Sequence, residues 1–162
     1  MTAIKPGRWT ARFEEPHVVF IIGMRINKPW KLHRWFPLIP AMGRMLTELY
    51  THPELGFLGG NTWFGRTFVL VQYWRSFEHL EAYAKARDKQ HLPAWSAFNR
   101  AVGNNGDVGI YHETYCVAPG QYENVYVNMP PTLLGEVAPL VPVSGGRSSA
   151  RGRMAAHQPE PV

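Results

Sequence analysis

The sequence predicts a mixed α+β fold, and three observations carry that prediction. Short β-branched runs such as HVVFIIGMRI (17–26) read as strands. Segments with apolar residues at three- and four-residue steps read as amphipathic helices. The two kinds follow one another as strand, helix, strand, strand, helix, strand, which is a segregated rather than a strictly alternating pattern.

Residues 17–26 are apolar on both sides of the period-two alternation, as expected of a strand covered on both faces. NKPWK then breaks the pattern. A helix is expected from about Leu38 to Tyr50, because Ile39, Met42, Leu46 and Leu49 fall on one stripe; Pro37 and Pro40 suit only its first turn. THPELGF stops it with Pro53 and Gly56. Two strands joined by a Gly-containing turn follow in GFLGGNTWFGRTFVLVQYWRS. In the second of them Phe68, Leu70 and Trp74 point one way, and Val69, Val71 and Tyr73 the other. SFEHLEAYAKARD is a helix capped by Ser76, with Phe77, Leu80 and Tyr83 on its apolar side. LPAWSAFNRAVG is a further short helix, with Pro93 at its start and Gly103 at its end. NNGD is a turn, and residues 108–118 and 122–130 are strands.

Residues 1–16 read as an N-terminal arm and 17–135 as the folded domain. From Glu136 the chain is rich in Pro, Gly, Ser and Arg without a periodic apolar stripe, so 136–162 is expected to be a disordered tail. The 162 residues suit one domain, and 45% hydrophobic content with six Trp suffices for a core. The 17 basic against 12 acidic residues give +5, but no basic run or nucleic-acid motif accompanies that charge, so a nucleic-acid partner is not expected. Cys116, the single cysteine, excludes an internal disulfide framework and a Cys-rich zinc site, and its apolar setting suggests a buried thiol. With no leader-like segment and no apolar run of about 20 residues, a soluble, cytoplasmic protein without a membrane partner is the expectation.

The element order is that of a ferredoxin-like β-α-β-β-α-β fold. Helices cover one face of such a sheet. The strands here are apolar on the other face too, and a second copy is the simplest cover, so a homodimer is expected. The run FVLVQYWRSFEHLEAYA, then HLPAWSAFNRAVG, then VGIYHETYCVAPGQYENVYVNMPP resembles the dimeric α+β barrel superfamily. More narrowly, it resembles a monooxygenase-like branch related to the antibiotic-biosynthesis monooxygenases. The likeness runs over residues 7–135. It implies an oxidoreductase acting on a small hydrophobic or aromatic substrate in an apolar pocket, with either haem b or no cofactor. The superfamily is functionally mixed, so a non-catalytic haem or small-ligand binding protein is the alternative.

Phosphate-binding glycine loops, a G-x-S-x-G elbow and paired helical His ligands are all missing from the sequence, against nucleotide hydrolysis, serine hydrolysis and zinc-protease chemistry. What remains is aromatic and histidine-rich. His91 is spaced i+4, i+7 and i+11 from Trp95, Phe98 and Val102, one side of a helix that starts early enough. On spacing alone His91 reads equally as a structural histidine and as a functional one. The resemblance implies an axial metal-ligand role for it in a haem version, with Trp95 and Phe98 beside the cofactor. His112 is a strand histidine, either packed or a proton-transfer group; its neighbour Glu113 points to the opposite face. By the same resemblance Asn61, Trp63, Gln72 and Trp74 would line the substrate cavity. His17, His33, His52, His79 and His157 have no convergent partner in the sequence.

Overall fold

The computed structural model describes residues 3–86 and 105–156. Four antiparallel strands form the main sheet. After β1 (Lys5–Ala11) the chain enters β2 (His17–Ile26), which becomes the centre of that sheet. A one-turn helix α1 (Leu32–Trp35) and the longer α2 (Leu38–Thr51) follow, then a 3₁₀ turn at Pro53–Leu55. The hairpin β3 (Phe57–Trp63) and β4 (Thr67–Trp74) leads to α3 (Phe77–Lys85), and β5 (Val108–Val117) completes the sheet in the order β3-β4-β2-β5. This is ferredoxin-like connectivity, as the element order required.

The register explains the burial. Val18 pairs with Trp74 and Cys116, Phe20 with Gln72 and Thr114, Ile22 with Leu70 and His112, and Met24 with Phe68 and Ile110. Cross-strand partners share a face, so these residues look toward the helices. There Val18, Leu49, Phe57, Trp74, Leu80 and Tyr83 form one core cluster, and Met24, Ile26, Leu38, Phe68 and Val108 another. Ser76 caps α3 by accepting from the His79 N–H at 3.4 Å.

The expected strand over 122–130 is confined to β6 (Tyr126–Met129), because the residues before it use their side chains elsewhere. Asn124 Oδ1 accepts from Ala11 N–H at 2.6 Å and its Nδ2 donates to Ala11 O at 3.0 Å. Tyr122 Oη accepts from Phe13 N–H and donates to Phe13 O. The amide of Asn124 thereby ends the β1 ladder as a backbone group would.

Residues 136–156, expected as a disordered tail, are folded. They continue from α4 (Leu134–Val137) into β7 (Leu140–Pro142), a 3₁₀ turn at Gly145–Ser148 and α5 (Ala150–Ala155). β7 pairs with β1, which pairs on its other side with β6, giving a second sheet of order β6-β1-β7. The supposed arm and the supposed tail are thus partners. Each is too short and too polar to show a buried stripe, and only their pairing makes one. Ala11, Tyr73, Leu134 and Ala138 bury together, with Val19, Leu58, Val71 and Leu140 packed around them. Part of the sheet face assigned to a second copy is therefore covered within the chain. Cys116, expected as buried, is exposed, since β5 is the edge of the main sheet among the described residues.

Two clusters of charge hold the ends. Arg153, 5% exposed, donates to Glu123 and to the carbonyls of Arg147 and Ser148, tying α5 to the turn before it and to the approach to β6. At the far end Asp107 is 1% exposed; its carboxylate accepts from Lys28 at 2.8 Å and from Lys31 at 2.9 Å, and its carbonyl accepts from the N–H groups of Asn27 and Lys28. The two ammonium groups hold the Asp107 carboxyl below the ordinary aspartate range.

Deleting residues 139–162 removes β7 and the Arg153 clamp. We expect the truncated chain to lose about 2–4 kcal/mol in urea unfolding, the scale of one or two large apolar side chains returned to water; an unchanged midpoint would mean the segment only rides on the fold. For Asp107 the sign is fixed by its depressed folded pKa. The stabilisation is present above the unfolded value near 3.9 and is lost as pH falls through the folded value. Asp107→Asn should therefore lower the midpoint at pH 7 and flatten its decline between about pH 4 and 2.

Candidate functional site

Alternation along β4 and β3 decides which candidate residues can meet. Gln72 and Trp74 face the helices, whereas Asn61 pairs with Val71 and Trp63 with Val69, on the opposite face. The four residues expected to line one cavity stand on two sides of the sheet. His91, Trp95 and Phe98 lie outside the described residues.

On the helix side, Gln72 is 3% and Trp74 1% exposed, and the indole Nε1 donates to Gln72 Oε1 at 3.0 Å. The Trp74 ring packs edge-on to Phe57 at 5.5 Å and tilted to Tyr83 at 5.7 Å. Tyr83 Oη donates to Glu48 Oε2 at 2.8 Å, and burial, then the Glu48 carboxylate, push the phenol far above its ordinary range. His112 occupies the same face on β5, exposed, its ring 5.7 Å from Phe20. This gives an aromatic floor with one buried amide donor, one histidine at the rim and a phenol–carboxylate pair at the wall. A cleft of ≈ 280 Å³ opens where β2 starts and β5 ends, lined by His17, Arg75, Phe77 and Cys116 among others.

The opposite face is closed by a strap. Asn61 Oδ1 accepts from Leu133 N–H at 2.6 Å, and its Nδ2 donates to Glu136 Oε2 at 3.0 Å. Leu133 holds φ 52° and ψ −131°, a strained conformation for a residue with a Cβ. Tyr73 lies beneath, its phenol pushed up to about 12 by burial and by Tyr126. His17 is 3% exposed, with Phe13 at 4.8 Å and Tyr122 at 5.5 Å, and burial lowers its pKa although its contact with Glu15 O opposes this. Asn61 thus spends both ends of its amide on the chain, and Trp63 is 46% exposed at the end of its strand.

Sequence reasoning missed Phe20, Tyr83 and Glu48 as a group. Tyr83 was readable only as part of an apolar stripe, and Glu48 reaches it across 35 residues of sequence. Among the described residues no group of three His, Cys, Asp or Glu converges as a metal site. Among the described residues His112 is the only sheet histidine on the helix face.

Asn61→Ala should leave the Leu133 N–H unsatisfied in a strained turn. The expected cost is about 1–3 kcal/mol, with faster amide exchange confined to residues 132–138. Global loss of exchange protection would show instead that Asn61 supports the whole sheet.

With the geometry in place, comparison with known proteins identifies the lineage. A monooxygenase of Aspergillus fumigatus, monooxygenase af470, is 30% identical over 149 residues, covering 83% of this chain and 52% of its own. The chain thus spans about half the length of that curated relative. Among solved structures, an aldoxime dehydratase in complex with butyraldoxime superposes with a TM-score of 0.65 at 17% identity, over 82% of this chain and 40% of that one. A second aldoxime dehydratase gives 0.65 at 19% identity, over 83% and 42%. These structural likenesses speak for the fold. The sequence profile described as monooxygenase af470-like matches residues 17–134, and the chain belongs to that family.

Proposed function

We propose that the protein is a monooxygenase-like oxidoreductase that takes a small apolar or aromatic substrate on the helix face of its main sheet. The observation that carries this reading is the buried Gln72–Trp74 pair: an amide whose carbonyl is already occupied, held under an aromatic floor, in a chain of a monooxygenase family. Ring stacking on the partly buried Phe20 would bind a planar substrate, and the Gln72 amide would donate to an oxygen that gains negative charge. His112 at the rim is the proton acceptor in this scheme, taking a proton from a phenol or an activated methylene. In the cofactor-free version the resulting anion reacts with O2. A methylene becomes a carbonyl, one oxygen atom staying in the product and the other leaving as water.

In the haem version His91 would hold the iron, with Trp95 and Phe98 contributing to the cofactor's setting. It rests on the family likeness rather than on a described pocket, and no step is drawn through it. For assembly, the homodimer reading keeps support from the uncovered part of the sheet face, where Tyr111 and Tyr115 are 42% and 50% exposed. An active site on the helix face does not depend on that dimer.

Oxygen uptake with a panel of phenolic and enolic aromatic compounds tests the proposal. We expect uptake by the wild type and a loss of about tenfold or more in kcat/KM for Gln72→Leu, the scale of one lost oxyanion donor, with unchanged circular dichroism. His112→Ala should lower kcat/KM by about 100-fold or more, the scale of one lost general base. Protein made with ample haem gives the second arm: a Soret band that disappears in His91→Ala supports the haem version. Ligand binding without turnover across the panel, with no Soret band, would return the protein to the class of binding modules.

A further inference from the structure

The end of the main sheet where β2 finishes carries an unusual surface. Three segments meet there: residues 25–36 after β2, residues 63–67 between β3 and β4, and residues 105–109 before β5. Backbone bonds join them, from Ile26 N–H to Arg66 O at 2.9 Å and from Asn27 N–H to Asp107 O at 3.0 Å. Across these segments Lys28, Lys31 and Arg34 face a single carboxylate, Asp107, while Arg25 donates to Thr67 Oγ1 and Arg66 to Ile26 O. That carboxylate is 1% exposed, while the side chains of Lys28 and Lys31 are 39% and 37% exposed. The negative charge is inside and the positive charge outside, so the surface seen by a partner is cationic.

Large apolar side chains stand among these cations. Trp30 is 72%, Leu32 58%, Phe36 62% and Phe64 70% exposed. Four such groups on two adjoining turns exceed the scattered exposed apolar residues of an ordinary surface. The turns are also held firmly rather than left to collapse. Trp35 Nε1 donates to Pro29 O at 3.1 Å, Lys31 N–H to Lys28 O at 3.1 Å, and the Phe64 ring packs edge-on to Phe68 at 5.5 Å. A hydrophobic tip interleaved with ammonium and guanidinium groups matches the interface of an anionic bilayer. There indole and phenyl rings enter the headgroup layer and cations meet lipid phosphate and carboxylate.

We propose that this end of the sheet is a docking surface for an anionic phospholipid membrane, with Trp30 and Phe64 as its inserting residues. No helix of the described residues is long and apolar enough to cross a bilayer, so the contact is peripheral and reversible. The expectation that the protein has no membrane partner rested on the lack of a spanning segment, which does not bear on surface contact. The inference is independent of the oxidoreductase reading, because none of these side chains belongs to the candidate site.

Co-sedimentation of the full chain with vesicles is the test. Phosphatidylcholine vesicles containing phosphatidylserine should carry the protein down, and pure phosphatidylcholine vesicles should carry at least about tenfold less. Salt at about 1 M, where the screening length is roughly 3 Å, should release it. The double substitution Trp30→Ser with Phe64→Ser should weaken binding by about tenfold or more while the melting temperature and elution volume stay put. Equal binding to both vesicle types, no binding to either, or full binding by the double variant would each overturn the proposal. So would a shift of the double variant from dimer to monomer without any vesicle binding, which would assign the patch to a second copy. Should the double variant fail to fold, the lipid contrast and the salt release on the unmodified chain decide the matter alone.

Discussion

Everything in this molecule is referred to β2, a strand paired along its whole length on one side and over most of it on the other. Its ten residues align with β4 from Val18 to Arg25 and with β5 from His17 to Ile26. A central strand in that position must satisfy two cores at once, because alternate side chains leave it in opposite directions. Val18, Met24 and Ile26 enter the helix-side clusters, and Val19 enters the cluster beneath the second sheet. Polar groups are admitted only where they are bonded. Gln72 opposite Phe20 is bonded by an indole, and His17 at the start of the strand contacts a carbonyl.

The legible part of the fold was the part that signals locally. β2, α2, the β3–β4 hairpin, α3 and β5 each carry their own periodicity, and the connectivity followed from their order. β1 and β7 do not. KPGRWTA and LVP have no stripe of their own, and what makes them strands is each other's hydrogen bonds together with Asn124 and Tyr122 at the end of β1. Non-local pairing of short segments leaves little trace in either segment alone. The same holds for Asp107. NNGD is a turn on any reading, and nothing local announces that its aspartate is buried under lysines from 76 and 79 positions earlier.

The candidate site was legible in composition but not in arrangement. Aromatic and amide residues of β3 and β4 were expected to line one cavity, and the parity of the two strands sends them to different sides. On one side the amide of Gln72 accepts from the Trp74 indole inside the core. On the other the amide of Asn61 is consumed by the Leu133–Glu136 strap. Two carboxamides 11 positions apart thus differ in duty: one is bonded to an indole inside the core, the other closes the chain. The backbone strain at Leu133 is tolerated because Asn61 and the cluster of Leu134 and Ala138 fix the turn from both ends.

Gly23, in the middle of β2, lies directly under the ring of its partner Tyr111, where any Cβ would run into the phenol. The ring covers backbone that a side chain would otherwise protect, as aromatic residues do beside glycines in curved sheets. The coupling between the two positions therefore runs one way. A lineage that gains a side chain at 23 must first swing the exposed Tyr111 ring aside or lose it, whereas position 111 can change while 23 stays glycine.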